Sequence, residues 1–122
     1  MKRTPTLLAA TCLLVIIGCE PRSPSLPDNL MGVWRTSDPK YAGRFLWLAQ
    51  DRVIFGTGAG SVSIHPIRKI ARAPQADGTL YTITYTNDDG QEYRLSFFHD
   101  LGHGGVIWFK NQKDILWKRA NR

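Results

Sequence analysis

Hydrophobic and polar residues alternate along much of the chain after residue 30, and a period of two is typical of half-buried β-strands. The pattern is clearest where Tyr81, Ile83 and Tyr85 alternate with threonines. Residues 92–97 alternate in the same way, and residues 87–90 between the two runs read Asn-Asp-Asp-Gly, a sequence typical of hairpin turns. These two segments therefore predict an antiparallel hairpin.

Further strands are predicted wherever short β-forming runs stand between turn residues. The candidates are residues 32–36, 44–50, 52–56, 105–110 and 114–119. Residues 61–73 allow two interpretations, a strand bent at Pro66, which we favour, or a short helix after Pro66. The result is an all-β fold of seven or eight antiparallel strands at near-regular spacing. That pattern is typical of a small up-and-down barrel or of a sandwich.

The N-terminus has a different pattern, a single apolar run behind two cations. Lys2 and Arg3 precede the uncharged residues 7–18. This run is too short for a permanent membrane span, which needs about 20 apolar residues. It has the length of the apolar part of a signal peptide, which we expect to be helical.

The apolar run ends in Ile16-Ile17-Gly18-Cys19, which resembles the lipobox of bacterial lipoproteins. The resemblance implies cleavage between Gly18 and Cys19 and anchoring by acyl chains on Cys19, each buried methylene contributing about 0.8 kcal/mol. The alternatives are a signal that happens to contain a cysteine, or an uncleaved anchor. Under lipoprotein sorting in enteric bacteria, Glu20 after the cysteine favours the outer membrane, facing the periplasm.

The predicted lipidation divides the chain into three parts. Residues 1–18 form the lipoprotein signal peptide, residues 19–29 form the acylated cysteine and a tether with prolines at every third position, and residues 30–122 form the barrel domain. The prolines favour an extended tether of about 30 Å, at roughly 3.1 Å per residue. Cys12 would be removed with the signal and Cys19 capped as a thioether, which excludes disulfides and thiol chemistry in the mature protein.

Gly32-Val33-Trp34 in the first predicted strand resembles the Gly-x-Trp motif with which lipocalins and related small barrels begin. The resemblance implies a lipocalin-like barrel in which the indole packs at the barrel floor beneath a basic residue of the last strand, Lys118 or Arg119. We take Trp34 and Arg119 as the barrel-closing pair. Another small antiparallel β-fold remains the alternative, because Gly-x-Trp alone is a common sequence.

The charge balance is basic. The chain has 16 Lys and Arg against 10 Asp and Glu, a formal charge of +6, and removal of a signal containing Lys2 and Arg3 leaves 14 basic residues and a charge of +4. Such a charge often indicates nucleic acid binding, but an exported protein meets lipid headgroups and acidic envelope polymers instead. We therefore expect no nucleic acid partner.

Two motifs contain residue types that occur in phosphate-binding loops or metal sites. Residues 55–60 read Phe-Gly-Thr-Gly-Ala-Gly, but without a following Lys-Ser/Thr and helix they indicate a hairpin loop at the barrel mouth rather than a phosphate loop. His99, Asp100 and His103 have the donor types of a metal site. We expect them to be polar turn residues between two late strands, and we predict no metal and no cofactor. Without a nucleophile elbow, a thiol or a carboxylate pair, we do not expect an enzyme.

Two functions remain open for the barrel. The first is a non-catalytic interaction module for an envelope protein or polymer, its core filled by aromatic residues. The second is a lipocalin-like carrier or sensor that holds a small apolar ligand inside the barrel. An eight-stranded barrel has room for its side chains or for one small ligand, and so many bulky residues favour the filled core. The candidate lining residues are Phe45, Trp47, Tyr81, Ile83, Tyr85, Phe97 and Phe109.

Overall fold

A computed structural model describes residues 24–120, so the predicted signal peptide, Gly18, Cys19 and the first residues of the tether lie outside the described residues. The described chain forms eight β-strands and three short 3-10 turns. The strands are β1 (Gly32–Arg35), β2 (Arg44–Leu48), β3 (Arg52–Thr57), β4 (Val62–Gln75), β5 (Gly78–Thr86), β6 (Glu92–Asp100), β7 (Val106–Phe109) and β8 (Trp117–Arg119). The 3-10 turns are Asp28–Leu30, Pro39–Tyr41 and Gly102–Gly104.

Each strand pairs with its neighbours in sequence, and the sheet closes on itself. The order is β1 to β8, every described pairing is antiparallel, and β8 pairs with β1 through Trp34 opposite Arg119. This confirms the predicted all-β class and the up-and-down barrel, with eight strands, and excludes the sandwich. We call the end where β1 begins the floor, and the end where β1 terminates the mouth.

The turns follow the local sequence. Between β5 and β6, the Asn87 side-chain oxygen accepts hydrogen bonds from the backbone N–H groups of Asp89 (3.0 Å) and Gln91 (2.9 Å). Gly90 has a φ of +83°, a conformation that glycine adopts without steric cost. The hairpin predicted from Asn-Asp-Asp-Gly is therefore present, held by an asparagine that bonds its own turn.

The stretch that allowed two interpretations is a single strand. β4 runs through Pro66, and its register with β5 shifts between Ile67 and Lys69, which places the irregularity at Arg68, two residues after the proline. Its first half, up to Pro66, pairs with β3, and its second half, from Ile67 onward, pairs with β5. Because proline cannot donate to a strand ladder, it lies where the pairing changes from one neighbour to the other.

The core lies inside the barrel and fills its lower half. Side chains on the inner face of every strand contribute, as the period of two requires. The largest fully buried side chains from the strands are Trp34, Phe97, Leu46, Leu48, Ile83, Ile107 and Val53.

The floor is closed by an N-terminal segment that includes residues predicted to belong to the tether. Leu26 is 3% exposed, and its backbone N–H donates to the Gln50 carbonyl at the β2–β3 turn (3.1 Å). Leu30, in the 3-10 turn that follows, is fully buried in the same core cluster. The segment covers the floor beside the second half of β4, which β3 does not reach. The packed fold therefore includes residues before the expected boundary at residue 30.

Candidate functional site

An apolar cavity of about 420 Å³ opens at the barrel mouth. Pockets of this size that are lined mainly by apolar and aromatic side chains are typical of sites for small molecules. The lining residues come from β2, β3, β6, β7, β8 and the β1–β2 loop, and they are Tyr41, Arg44, Phe45, Leu46, Phe55, Gly56, Thr57, Leu95, Phe109 and Trp117.

Three aromatic rings form one wall of the cavity. The ring centroids of Tyr41 and Trp117 are 5.4 Å apart, and those of Phe109 and Trp117 are also 5.4 Å apart, in an edge-on arrangement. Tyr41 is fixed at its other end, because the Gln112 side-chain amide donates a hydrogen bond to the Tyr41 hydroxyl (2.7 Å). Two mouth loops are therefore tied together across the cavity wall, and the wall is pre-formed.

The opposite wall continues into a second aromatic group around Phe55. The Phe55 ring lies 5.8 Å from the His65 ring and 5.6 Å from the Tyr85 ring, and Tyr85 stacks on Tyr93 at 5.7 Å. Burial raises the pKa of Tyr85, and the neighbouring Tyr93 hydroxyl adds to this effect. Tyr85 therefore remains a neutral phenol at physiological pH.

His65 is held by hydrogen bonds on both ring nitrogens. Its Nδ1 lies 3.2 Å from the Thr86 carbonyl oxygen, and its Nε2 lies 3.0 Å from the Ser63 hydroxyl. Because a carbonyl only accepts, Nδ1 carries the proton, and in the neutral ring Nε2 accepts from Ser63. Both ring nitrogens of His65 are therefore satisfied within the barrel.

The cavity carries its polar groups at the rim. Of its lining residues in the described chain, Arg44 alone is charged, and the Thr57 hydroxyl lies within hydrogen-bond distance of Ser61 in the loop that follows β3. A Cβ on Gly58 would lie 3.1 Å from the Arg44 side chain, so the glycine allows the arginine to cross the rim. This loop, residues 58–61, joins β3 to β4 as a hairpin and is followed by a strand, as predicted for the glycine-rich segment.

Of the seven predicted lining residues, five face inward, and they lie in three different positions. Tyr81, Ile83 and Phe97 face inward but are buried in the lower core, 4%, 0% and 0% exposed, where they fill the barrel instead of bordering a space. Phe109 lines the cavity. Tyr85 lies beside it, in contact with Phe55.

The other two predicted lining residues, Trp47 and Phe45, lie on the outer face of the barrel. Trp47 is 44% exposed between Leu46 and Leu48, which are buried, so it lies on the outer face and the prediction that it lines the interior is wrong. The period of two places Phe45 on the outer face as well, where it reaches only the rim of the cavity. There the Arg35 guanidinium carbon lies 5.0 Å from the Phe45 ring centroid.

Several cavity residues were not anticipated from the sequence. Leu46, Phe55, Leu95 and Trp117 share the inner face of their strands, and strict alternation applied to β2, β3, β6 and β8 would have selected them. Tyr41 lies in a 3-10 turn of the β1–β2 loop, where no periodic signal marks an inward position.

The floor carries the pair predicted from the Gly-x-Trp resemblance. The Arg119 guanidinium carbon lies 5.6 Å from the Trp34 ring centroid, and the Trp34 indole N–H donates to the Leu30 carbonyl (2.9 Å). Arg119 also donates from Nη1 to the Met31 carbonyl (2.9 Å). The arginine and the indole thus join β8, β1 and the N-terminal segment at one point.

The structure differs from the prediction that His99 and Asp100 are turn residues. β6 extends through Asp100, so His99 and Asp100 are strand residues, not loop residues, and His99 is 5% exposed in the core against the Trp34 ring. The pKa of His99 is lowered, first because burial disfavours the charged ring, then because of Arg119, while Asp100 opposes the shift. Within residues 24–120, no group of three or more His, Cys, Asp or Glu is placed to hold a metal ion.

No family model matches this sequence, and no curated protein and no solved structure matches the chain. The fold and the cavity define a structural class, a small closed up-and-down β-barrel of lipocalin-like build with an apolar cavity at one end. Across the described residues 24–120, no helix is both long and apolar enough to cross a membrane.

Proposed function

We propose that this chain is a lipid-anchored, non-catalytic protein of the cell envelope whose barrel binds the apolar part of a small molecule in the mouth cavity. The observation that carries the binding function is the cavity of about 420 Å³ with its pre-formed aromatic wall of Tyr41, Phe109 and Trp117. A site that exists before the ligand arrives loses little conformational entropy on binding.

The filled lower barrel limits the size of the ligand. Phe97, Ile83 and Tyr81 face the barrel interior and are buried, so they fill space that a ligand cannot enter. A molecule with a compact apolar part fits the mouth cavity, and a polar part would remain outside near Arg44. Of the two functions left open by the sequence, the cavity favours the carrier or sensor.

The interaction module is the second candidate, and a different surface supports it. Arg68, Lys69 and Arg94 line a cleft on the outside of β4, β5 and β6, in which Glu92 is the one acid among the described lining residues. Three cations beside the hydroxyls of Thr82 and Thr84 match an anionic envelope polymer. Both functions are compatible with one anchored barrel, because the cleft and the cavity use different faces.

The anchor follows from the lipobox Ile16-Ile17-Gly18-Cys19, with Glu20 favouring the outer membrane facing the periplasm. In cells that express the full chain, Cys19→Ala should abolish incorporation of an alkyne-labelled palmitate and leave uncleaved precursor or soluble protein. Cys12→Ala is the matched control and should be labelled as the wild type is. Equal labelling of the wild type and Cys19→Ala would contradict the anchor.

The cavity is tested by filling it. Leu95→Trp places extra volume in the cavity, whereas Leu116→Trp makes the same change at a side chain that is 45% exposed. Native mass spectrometry and titration with the fluorescent apolar probe N-phenyl-1-naphthylamine should show binding to the wild type and Leu116→Trp and loss of binding to Leu95→Trp. Equal binding by all three proteins, with equal thermal stability, would place the probe elsewhere and reject the cavity as the site.

A further inference from the structure

The outer face of β1 to β4 carries a continuous row of apolar side chains. The strand registers set Val33 opposite Trp47, Trp47 opposite Ile54, and Ile54 opposite Ile64. Directly opposed residues on one face of antiparallel strands contact each other, so the four side chains form one strip across four strands. Ile54 is only 6% exposed although it points outward, because Trp47 and Ile64 flank it.

A second row lies beside the first, towards the mouth. Phe45 pairs with Gly56, and Gly56 pairs with Val62, which is 50% exposed. The Phe45 ring occupies the space that a Cβ on Gly56 would need, so the aromatic ring replaces the missing side chain. We call the two rows together the outer wall; its residues are Val33, Phe45, Trp47, Ile54, Val62 and Ile64.

The outer wall explains a feature of the sequence. β2 reads Arg-Phe-Leu-Trp-Leu and β3 reads Arg-Val-Ile-Phe-Gly-Thr, which are nearly continuous apolar runs rather than alternating ones. Strands of this kind are normally covered on both faces. The core covers the inner face, but within the described chain nothing covers the exposed parts of Trp47 (44%), Ile64 (49%) and Val62 (50%). Contiguous exposed apolar surface of this kind marks an interaction site, unlike single exposed residues.

The charged side chains that share the outer face of these strands have one sign. Among the outward-facing strand positions of β1, β2, β3 and the first half of β4, the charged residues are Arg35 and Arg52, and none is acidic. Arg35 lies over the Phe45 ring, and Arg52 pairs with Asp51 of the adjacent turn, at 3.3 Å on an exposed surface where such a pair is weak. The surface therefore combines an exposed tryptophan with cations.

The position of the N-terminal segment indicates what the outer wall meets. Leu26 is hydrogen-bonded to Gln50, in the turn that joins the strands of Trp47 and Ile54. Cys19 is seven residues before Leu26, and seven residues of chain span at most about 25 Å. Acyl chains on Cys19 would therefore hold a lipid surface within about 25 Å of Leu26, at the floor edge of the outer wall.

We propose that the outer wall docks on the lipid surface to which the chain is anchored, with Trp47 at the level of the headgroups and Arg35 and Arg52 directed at their phosphates. This inference rests on the proposed anchor at Cys19. Tryptophan favours the membrane interface, and each cation near an anionic surface contributes about 1 kcal/mol. The anchored barrel then lies on its side, and its mouth opens along the membrane.

The four tryptophans make the proposal measurable. Trp34, Trp108 and Trp117 are 1%, 8% and 3% exposed, so Trp47 is the indole that a lipid quencher reaches. The acylated full-length product is purified from membranes and reconstituted in vesicles of phosphatidylglycerol and brominated phosphatidylcholine. We expect quenching of the tryptophan emission that disappears in Trp47→Phe, which keeps an apolar ring in the wall. Unquenched emission from vesicle-bound, acylated wild type overturns the proposal.

A charge variant separates the outer wall from the anchor. Ile64→Glu introduces an acid into the outer wall, and Leu101→Glu introduces one at an exposed apolar side chain between β6 and β7, outside the wall, as the matched control. Both should remain acylated and vesicle-bound, with quenching lost only in Ile64→Glu. Failure of the anchor appears separately, as protein without acyl chains that does not remain with the vesicles. If the wild type is a dimer in detergent and Ile64→Glu is a monomer, the outer wall binds a second copy of the chain, and the lipid proposal is overturned.

Discussion

Arg119 lies across Trp34 at the seam where the first and last strands meet. The guanidinium carbon is 5.6 Å from the indole centroid, and the two residues are directly opposite in the β1–β8 register. The same guanidinium donates to the Met31 carbonyl at 2.9 Å. One side chain thus joins the closing strand, the opening strand and the segment below the floor.

Loss of this arginine should destabilise the barrel measurably. Arg119→Ala removes a partly exposed cation–π contact and a charged hydrogen bond, and we expect the free energy of unfolding to fall by about 1–2 kcal/mol. Urea denaturation followed by tryptophan emission measures the change. Lys118→Ala is the matched control, since Lys118 is exposed on the same strand. A loss that is equal in both variants would mean that the contact with Trp34 contributes nothing.

Gly32 is required for the same arrangement. Its φ is +134°, and a Cβ there would lie 2.8 Å from the Arg119 Cδ. Gly32→Ala should therefore cost about 1–3 kcal/mol, partly from the backbone and partly from displacement of the arginine. In an Arg119→Ala background only the backbone part should remain, so the two changes should cost less together than the sum of the single changes. Strict additivity in the double-mutant cycle would show that the glycine and the arginine act independently.

His99 should make stability depend on pH. Its pKa is lowered in the folded state, so the unfolded chain binds the proton at higher pH than the folded chain does. The contribution of His99 is complete above its ordinary pKa of about 6.5 and decreases as the pH falls towards the folded value. The free energy of unfolding should therefore fall from pH 7.5 to 5.5.

The substitution His99→Phe isolates this contribution. It keeps an aromatic ring against Trp34 and removes the titrating group. The free energy of unfolding of the wild type, relative to that of the variant, should therefore be lower at pH 5.5 than at pH 7.5. Urea unfolding at the two pH values measures it. If the difference between the two proteins is the same at both values, another group causes any dependence on pH.

The floor segment should contribute to folding although it was assigned to the tether. Leu26 is 3% exposed in the core cluster, and Leu26→Ala should cost about 2–4 kcal/mol, in the range of buried leucines. Ser25→Ala, at the exposed neighbouring residue, should cost less than about 0.5 kcal/mol. Thermal denaturation of both variants tests this, and equal melting temperatures would show that the segment does not stabilise the fold.

Local sequence was sufficient for most of the strands and for the turn between β5 and β6. The alternation of Tyr81, Ile83 and Tyr85 and the Asn-Asp-Asp-Gly turn involve residues that are adjacent in the chain, and their preferences act before any tertiary contact forms. The pairing of Trp34 with a cation of the last strand was also anticipated, through the Gly-x-Trp resemblance, and the structure places Arg119 over the indole.

The tertiary structure decided where the site and the surfaces lie. His99 has the sequence neighbours of a loop residue, yet β7 pairs with it and buries it. Trp47 has the character of a core residue, and only closure of the barrel turns it outward while bringing Tyr41, Phe55 and Trp117 together at the mouth.

The sequence by itself therefore determined a pattern of seven or eight strands and their turns, because each depends on neighbouring residues. The export and anchoring signal in residues 1–19 stays a prediction. Closure, the cavity and the outer wall depend on residues up to 88 positions apart, such as Met31 and Arg119, and on which face of each strand turns inward. A shift of one residue in register would exchange the two faces of a strand. That choice is made by the packing of all eight strands together.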